Sequence, residues 1–277
     1  MAFNEICRQI KNLKIQGAEN VARAGIKALK LKHYKNSVRK IISLRPTEPC
    51  LRNAVNFVIK DVKRNADIAL KHFDDAQKKI AEIGSRKIRN NDIIFTHCHS
   101  STVVGILKEA AKTRRFKVYA TETRPLYQGR RTADELAKAK IPVQLFTDAA
   151  GRYALKRSNI AFFGVDAITS EGNIINKMGT EMYSEIAERY DIPVYFCTDS
   201  WKYDMLTVFG FEEAIERREA KEVWEKAPKG VDISNIAFEI VESKLAAGII
   251  SELGVYAPAT FVEEVKRHYP WIQGRGD

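Results

Sequence analysis

The stretch Asp92-Ile93-Ile94-Phe95-Thr96-His97-Cys98-His99-Ser100-Ser101-Thr102 decides how the chain is read. Its apolar first half, Asp92 to Phe95, has the composition of a buried strand, and Ser100 or Ser101 is a side-chain cap for the helix that follows. From Thr102 to Thr113 the apolar residues Val103, Val104, Ile106 and Leu107 recur at helical spacing, which turns one face of that helix inward. A strand that passes into a helix over a few polar residues is the first half of a parallel βαβ unit. In such sheets ligands gather at the carboxyl ends of the strands, where the N–H groups of the next helix favour negative charge. Cys98 stands at that edge between two histidines, and a thiol there is able to become a reactive thiolate. The plainer alternative is a small buried hydrophobe with chance neighbours.

The same grammar continues toward the C-terminus. Phe116 to Thr121, Val143 to Thr147, Ile160 to Val165 and Val194 to Thr198 are short β-branched or aromatic runs, and the gaps between them hold helices of ordinary length. Phe238 to Val241 and Gly248 to Ser251 are further candidate strands, and the tail Gly274-Arg275-Gly276-Asp277 reads as frayed. Toward the N-terminus the pattern is different. Ile6, Ile10 and Leu13 form one helical stripe, Val21, Ala24, Ala28 and Leu31 a second, and Val55, Phe57, Val58 and Val62 a third, punctuated by Gly17 and Arg45-Pro46. The expected architecture is therefore α/β: a helical domain of four or five helices over residues 1–88, then a Rossmann-like parallel-sheet domain over residues 89–277.

Composition narrows the function classes. The chain has 277 residues, enough for one large core or two modest ones. Met1 to Ile10 is polar and charged throughout, and no apolar run reaches about 18 residues, so neither a secretory leader nor a membrane span is expected and the predicted location is cytoplasmic. Cys7, Cys50, Cys98 and Cys197 form no close pairs, which fits reduced thiols. His97 and His99 would share one side of an extended chain, but Cys98 would then face away, and no metal is expected. The formal charge of +11 comes from basic residues interleaved with 35 acidic ones rather than gathered in an arm, so the charge fits phosphorylated small molecules and no nucleic acid is expected.

Polar residues recur at the predicted strand ends: Cys98, then Glu122-Thr123-Arg124-Pro125 with Gln128-Gly129, then Asp166, then Asn176-Lys177, then Thr198-Asp199-Ser200 with Lys202. In a parallel sheet these ends share one edge, where they would make a site for an anionic, hydroxyl-bearing ligand. Individually each has a plain reading. Asp166 would cap a turn, Asn176-Lys177 would be turn and helix-start residues, and Arg124 would end a strand. A carboxyl after Ala161-Phe162-Phe163 has an apolar neighbourhood that favours its protonated form. For Cys98, an imidazolium, an arginine or the helix start would each favour the thiolate. The GxSxG elbow, the GxxxxGK[ST] phosphate loop and a GxGxxG after the first strand of the α/β part are missing from the sequence.

In this order, Thr96-His97-Cys98-His99-Ser100, Glu122-Thr123-Arg124-Pro125, Asp166-Ala167-Ile168 and Asn176-Lys177-Met178-Gly179-Thr180 resemble the sugar-phosphate isomerase branch of the initiation-factor-2B-like superfamily. Within that branch they resemble the ribose-1,5-bisphosphate isomerases more than the methylthioribose-1-phosphate isomerases. Gly17-Ala18 and Arg45-Pro46-Thr47 are similar to its phosphate-side motifs, and the likeness runs from about residue 10 to residue 258. The resemblance implies reversible conversion of ribose 1,5-bisphosphate into ribulose 1,5-bisphosphate in nucleotide salvage, without a metal or redox cofactor. It also implies stimulation by AMP and assembly as a homodimer or homohexamer. On this basis Asp166 is expected as the acid at the ring oxygen and Cys98 as the base at carbon. Gly17, Ala18, Arg45, Arg124 and Lys202 are expected to hold phosphates, and Gln128, Asn176 and Lys177 the hydroxyls or developing oxyanion; Glu19, Asn20, His99 and Ser100 complete the expected substrate contacts. Three departures stand out: Gln16 where these isomerases carry Arg, Thr198-Asp199-Ser200-Trp201-Lys202 in place of Glu-Thr-Tyr-Lys, and Ala237-Phe238-Glu239 in place of an Asp-bearing form. The rival reading is a non-catalytic regulatory subunit of the same superfamily; such relatives generally lack the Cys and Asp pair that this chain keeps.

Overall fold

A computed structural model describes residues 2–32, 35–209 and 217–273. Five helices come first: α1 (Phe3–Lys11), α2 (Ala18–Leu31), α3 (Lys35–Ser43), α4 (Pro49–Ile59) and α5 (Val62–Ser85). The alternation that follows runs β1 (Ile93–Thr96), α6 (Ser101–Ala110), β2 (Lys117–Thr121), α7 (Gln128–Lys138), β3 (Val143–Phe146), α8 (Gly151–Leu155) and β4 (Ile160–Phe163). It continues with β5 (Ala167–Ile168), β6 (Ile174–Lys177), α9 (Thr180–Arg189), β7 (Val194–Cys197), β8 (Phe238–Val241), β9 (Gly248–Ser251), β10 (Gly254–Tyr256) and α10 (Pro258–His268). The expected order of a helical part and then a mostly parallel sheet is what the chain adopts. The tail Gly274 to Asp277 lies outside the described residues.

The main sheet has the order β10-β9-β7-β4-β1-β2-β3, and every pairing in it is parallel except β10 with β9. From β1 the chain winds outward through β2 to β3, then crosses back to β4 on the other side of β1. The strand order thus reverses between β1 and β4, and a crevice opens at their carboxyl ends. All four residues of β4 are buried, as a central parallel strand covered on both faces requires. Ser100 caps α6 by accepting the Val103 N–H, and Val103, Val104, Ile106 and Leu107 all face the core. Such a cap is worth about 1 kcal/mol.

One apolar cluster joins the helical part to the sheet: Val21, Leu51 and Phe73 belong with Phe95, Phe163 and Trp201. A second cluster, with Ile80, Ile106, Leu107, Val118 and Phe162, lies between the end of α5, α6 and the sheet. Two local expectations are revised. Helix α4 opens at Pro49 rather than near Pro46. Asn176 and Lys177 end a strand rather than start a helix, because β6 pairs antiparallel with both β5 and β8 in a separate small sheet. Ile174 and Ile175 are buried there opposite Val241 and Ile240, long-range partners that a four-residue run does not announce.

Candidate active site

Cys98 sits just after β1 with φ 66°, in the left-handed region that side-chain-bearing residues seldom adopt. Its backbone is clamped from both sides. The Cys98 N–H donates to Thr123 Oγ1 at 2.9 Å, and the Thr132 hydroxyl donates to the Cys98 carbonyl at 2.9 Å. Thr123 is itself left-handed, φ 63°, and Asp148 holds it by accepting the N–H groups of Thr123 and Arg124 at 2.8 and 2.7 Å. Unusual backbone that persists because its neighbours fix it is a mark of functional sites. Gly164, after β4, approaches Ser100 so closely that a Cβ there would lie 2.8 Å from the Ser100 Cβ. Only glycine lets the ends of β1 and β4 meet in this way.

One cavity occupies the crevice, and the helical part closes it. At the sheet edge it is lined by Cys98, His99 and Ser100 after β1, by Gln128 at the start of α7, by Asp166 after β4, by Asn176 and Lys177 on β6, and by Lys202 after β7. From the helical part come Gly17, Ala18, Glu19 and Asn20 at the start of α2, and Arg45 before α4. Gly17 supports this geometry with φ 87°, which turns the chain sharply into α2. The starts of α2 and α6 therefore both face the cavity, each with the N–H groups that suit an anion.

Arg124 is not brought in. It is exposed, donates to Tyr127 Oη at 2.8 Å and to the Val223 carbonyl at 2.9 Å, and lies over the Tyr127 ring. The strand-end turn points it outward toward segment 217–224, and it does not line the cavity. Two arginines absent from the sequence reading line the cavity instead, Arg131 and Arg218. Arg131 is three residues after Gln128 on α7, a spacing that puts both on one helix face and was there to be read. Arg218 is gripped by Glu222 through two hydrogen bonds of 2.8 Å; no periodicity marks it.

The electrostatics revise the expected role of the histidines. His97 is buried, its Nε2–H donates to the Met178 carbonyl at 2.9 Å, and its Nδ1 accepts from Thr121 Oγ1. Burial pushes its pKa down to about 4, against the pull of the Met178 carbonyl. His99, hydrogen-bonded to Thr132 Oγ1 at 3.1 Å, is lowered to about 4 by burial and then by the Arg131 charge. Both imidazoles are neutral at physiological pH, so neither supplies the positive charge foreseen for the thiol. Burial pushes the Cys98 thiol up to about 11; the Lys177 charge and the His99 N–H pull it down, and Asp166 pushes it up. Lys177 is the cation that works on Cys98. It is buried, with its ammonium 4.4 Å from the centre of the Phe238 ring, another cavity residue not foreseen.

The remaining polar groups have defined tasks. Asn176 donates to Thr180 Oγ1 at 3.0 Å, and Lys202 Nζ donates to the Val165 carbonyl at 2.6 Å. Gln128 Oε1 is buried and has no hydrogen-bond partner, which leaves an acceptor for a ligand hydroxyl. Arg45 pairs with Glu48 at 2.8 Å, and Glu19 with Arg23 at 2.8 Å. Among the described residues, the side chains whose donor atoms cluster as metal ligands do are His72, Asp199 and Glu252, not His97 and His99.

The sequence pattern of the initiation factor 2 subunit family matches residues 14–258. The chain belongs to this family. Its relatives there include the ribose 1,5-bisphosphate isomerase of Pyrococcus furiosus, 33% identical over 96% of this chain and 94% of that protein. The ribose 1,5-bisphosphate isomerase of Methanocaldococcus jannaschii is 33% identical over 98% of this chain and 96% of that protein. A putative translation initiation factor eIF-2B subunit 2-like protein of Pyrococcus furiosus is 31% identical over 92% and 96% respectively. Among solved family structures, the translation initiation factor eIF-2B of Pyrococcus horikoshii superposes with a TM-score of 0.83 at 27% identity, over 94% of this chain and 98% of that one. The 5-methylthioribose 1-phosphate isomerase of the same organism shares the fold, with a TM-score of 0.77 at 22% identity over 96% and 88%.

Proposed function

We propose that the protein is an aldose–ketose isomerase that converts α-ribose 1,5-bisphosphate into ribulose 1,5-bisphosphate. The observation that carries this reading is the convergence of Cys98 and Asp166, from the two strands flanking the crevice, in one cavity with the cations Arg45, Arg131, Lys177, Lys202 and Arg218. A furanose locked by a C1 phosphate must first open. Asp166 gives a proton to the ring oxygen as its bond to C1 breaks, the C2 hydrogen leaves as a proton to the Cys98 thiolate, and Cys98 returns a proton to C1 as the Asp166 carboxylate takes the C2 hydroxyl proton and C2 becomes the ketone. The C1 phosphate stays in place throughout, so substrate and product are isomers.

A thiol with a pKa near 11 is only about one part in ten thousand ionised at neutral pH, but its conjugate base is strong enough to attack a carbon-bound hydrogen. Lys177 favours that thiolate and then the oxyanion at C2. Arg45 and the start of α2 hold one phosphate, and Lys202 with Arg218 the other; Gln128 and Asn176 hold hydroxyls. Residues 1–88 would act as the domain that closes over the anion and residues 89–277 as the catalytic domain, in a cytoplasmic homodimer or homohexamer stimulated by AMP within nucleotide salvage.

The names of the eIF-2B-like relatives favour a second reading, a regulatory subunit that binds a sugar phosphate or nucleotide without turnover. Incubation with α-ribose 1,5-bisphosphate, with and without AMP, followed by phosphorus NMR decides between them. The isomerase reading expects the ribulose 1,5-bisphosphate resonances to grow; a bound but unchanged substrate supports the regulatory one. Turnover of methylthioribose 1-phosphate in preference to the bisphosphate would instead assign the chain to that sister activity.

A further inference from the structure

At the Lys202 end of the cavity, which Asp199 also lines, begins a second polar cluster that the chemistry above does not use. His72, midway along α5, stacks on Trp201 with ring centroids 4.1 Å apart and planes inclined by 12°. Its Nε2 is 3.0 Å from Asp199 Oδ2, a close charge contact rather than a well-aligned hydrogen bond. Asp199 holds both ends of the turn that follows. Its Oδ1 accepts the Trp201 N–H at 2.8 Å, and its carbonyl accepts the Lys202 N–H at 3.2 Å. From the other side Glu252 accepts the Ser200 N–H at 3.2 Å and the Ser200 hydroxyl, and Tyr269 donates to Glu252 at 3.2 Å. Asp199, Ser200, Trp201, Lys202 and Glu252 are all buried.

Charge decides what this cluster is. Burial alone would discharge His72, yet the charge of Asp199, then Glu252 and then Asp75 on the same helix hold its pKa above the ordinary value. Glu252 is pushed up to about 7 by burial and by Asp199, against the pull of His72. The neighbouring carboxylates thus favour the charged form of His72, while burial favours the protonated form of Glu252.

We propose that His72 is a positioning residue for Lys202: it holds Asp199, and Asp199 fixes the turn that carries the Lys202 ammonium into the cavity. Helix α5 thereby sets anion affinity at a site it does not itself line. That Lys202 grips a phosphate of the substrate rests on the function proposed above, so the test uses sulfate, an anion that needs no turnover and does not titrate near neutrality. Sulfate affinity is measured by calorimetry at fixed ionic strength for the native protein, His72→Phe, which keeps the ring on Trp201, Lys202→Met, and the double variant. Each single change is expected to weaken binding at least fivefold. The double variant should bind within twofold of Lys202→Met, because a positioning residue has nothing left to position, whereas a merely structural role would add its own loss. His72→Gln, which restores an N–H donor toward Asp199, should recover part of the affinity and serves if the Phe variant fails to fold. No sulfate binding by the native protein, unchanged affinity in His72→Phe, or additive losses would overturn the proposal. A native protein that binds sulfate but leaves ribose 1,5-bisphosphate unchanged overturns the isomerase reading alone.

Discussion

The two walls of the cavity are built on different principles. The sheet wall places Cys98 and Asp166 after adjacent strands and fixes the Cys98 backbone in an unfavourable conformation through Thr123, Thr132 and Asp148. The helical wall offers the start of α2 and Arg45, beside the uncharged Gln16. On the proposed function, one wall is pre-organised for proton transfer, while the other supplies diffuse attraction for an anion. If this contrast is right, changes on the sheet wall lower turnover at saturation, and changes on the helical wall raise KM.

The sharpest way to break the contrast is to remove the proton-transfer groups. Asp166→Asn and Cys98→Ser should each lower kcat by about a thousandfold or more while KM moves little. Steady-state assays check this, and a loss confined to KM would erase the distinction between the walls. Lys177→Met is next, with an expected fall of about a hundredfold in kcat because it removes charge at both the thiol and the developing oxyanion. The same cation gives a pH test. The base must lose its proton to work, and the thiol's pKa of about 11 lies above the whole assay range, so the thiolate fraction should climb with pH through neutrality into the alkaline range, with turnover following it only as far as Asp166 keeps its proton. Iodoacetamide labelling of Cys98 should climb in parallel, and Lys177→Met should slow it at every pH.

Effects on the helical wall are smaller. Arg45→Gln should raise KM about tenfold with kcat nearly unchanged, the loss of one charge-assisted contact. On α7, at the sheet side of the cavity, Arg131 is more than half exposed and already paired with Glu135, so Arg131→Gln should change KM by no more than about threefold. A kcat effect from Arg131 larger than that of Lys177 would invert the order.

The two walls also differ in how much of them the sequence declared. The strand-to-helix passage around Cys98 was legible because a buried strand, a capping Ser100 and an amphipathic helix each leave a local pattern. With β4 running through Ile160 to Phe163, the same logic located Asp166. What was not legible depends on distant partners. The antiparallel pairing of β6 with β8 turns Asn176 and Lys177 into strand residues, and that pairing joins segments some sixty residues apart. The ionisation of His97 and His99 was misjudged for the same reason: the burial that keeps them neutral, joined at His99 by the Arg131 charge, is supplied by segments far along the chain. Arg124 shows the limit of residue type as a guide, since a guanidinium suited to phosphate is turned outward to Tyr127 and Val223.

The central claim, that Cys98 moves a proton between adjacent carbons while Asp166 opens the ring, is tested most directly by running the reaction on α-ribose 1,5-bisphosphate in deuterium oxide and reading C1 of the product by NMR. The account predicts that C1 of ribulose 1,5-bisphosphate from the native protein carries deuterium only in the share whose Cys98 S–H exchanged with solvent before returning its proton, and that Cys98→Ser forms product at about a thousandth of the native rate or less. Product that keeps the original hydrogen at C1, formed at an undiminished rate by Cys98→Ser, would contradict it.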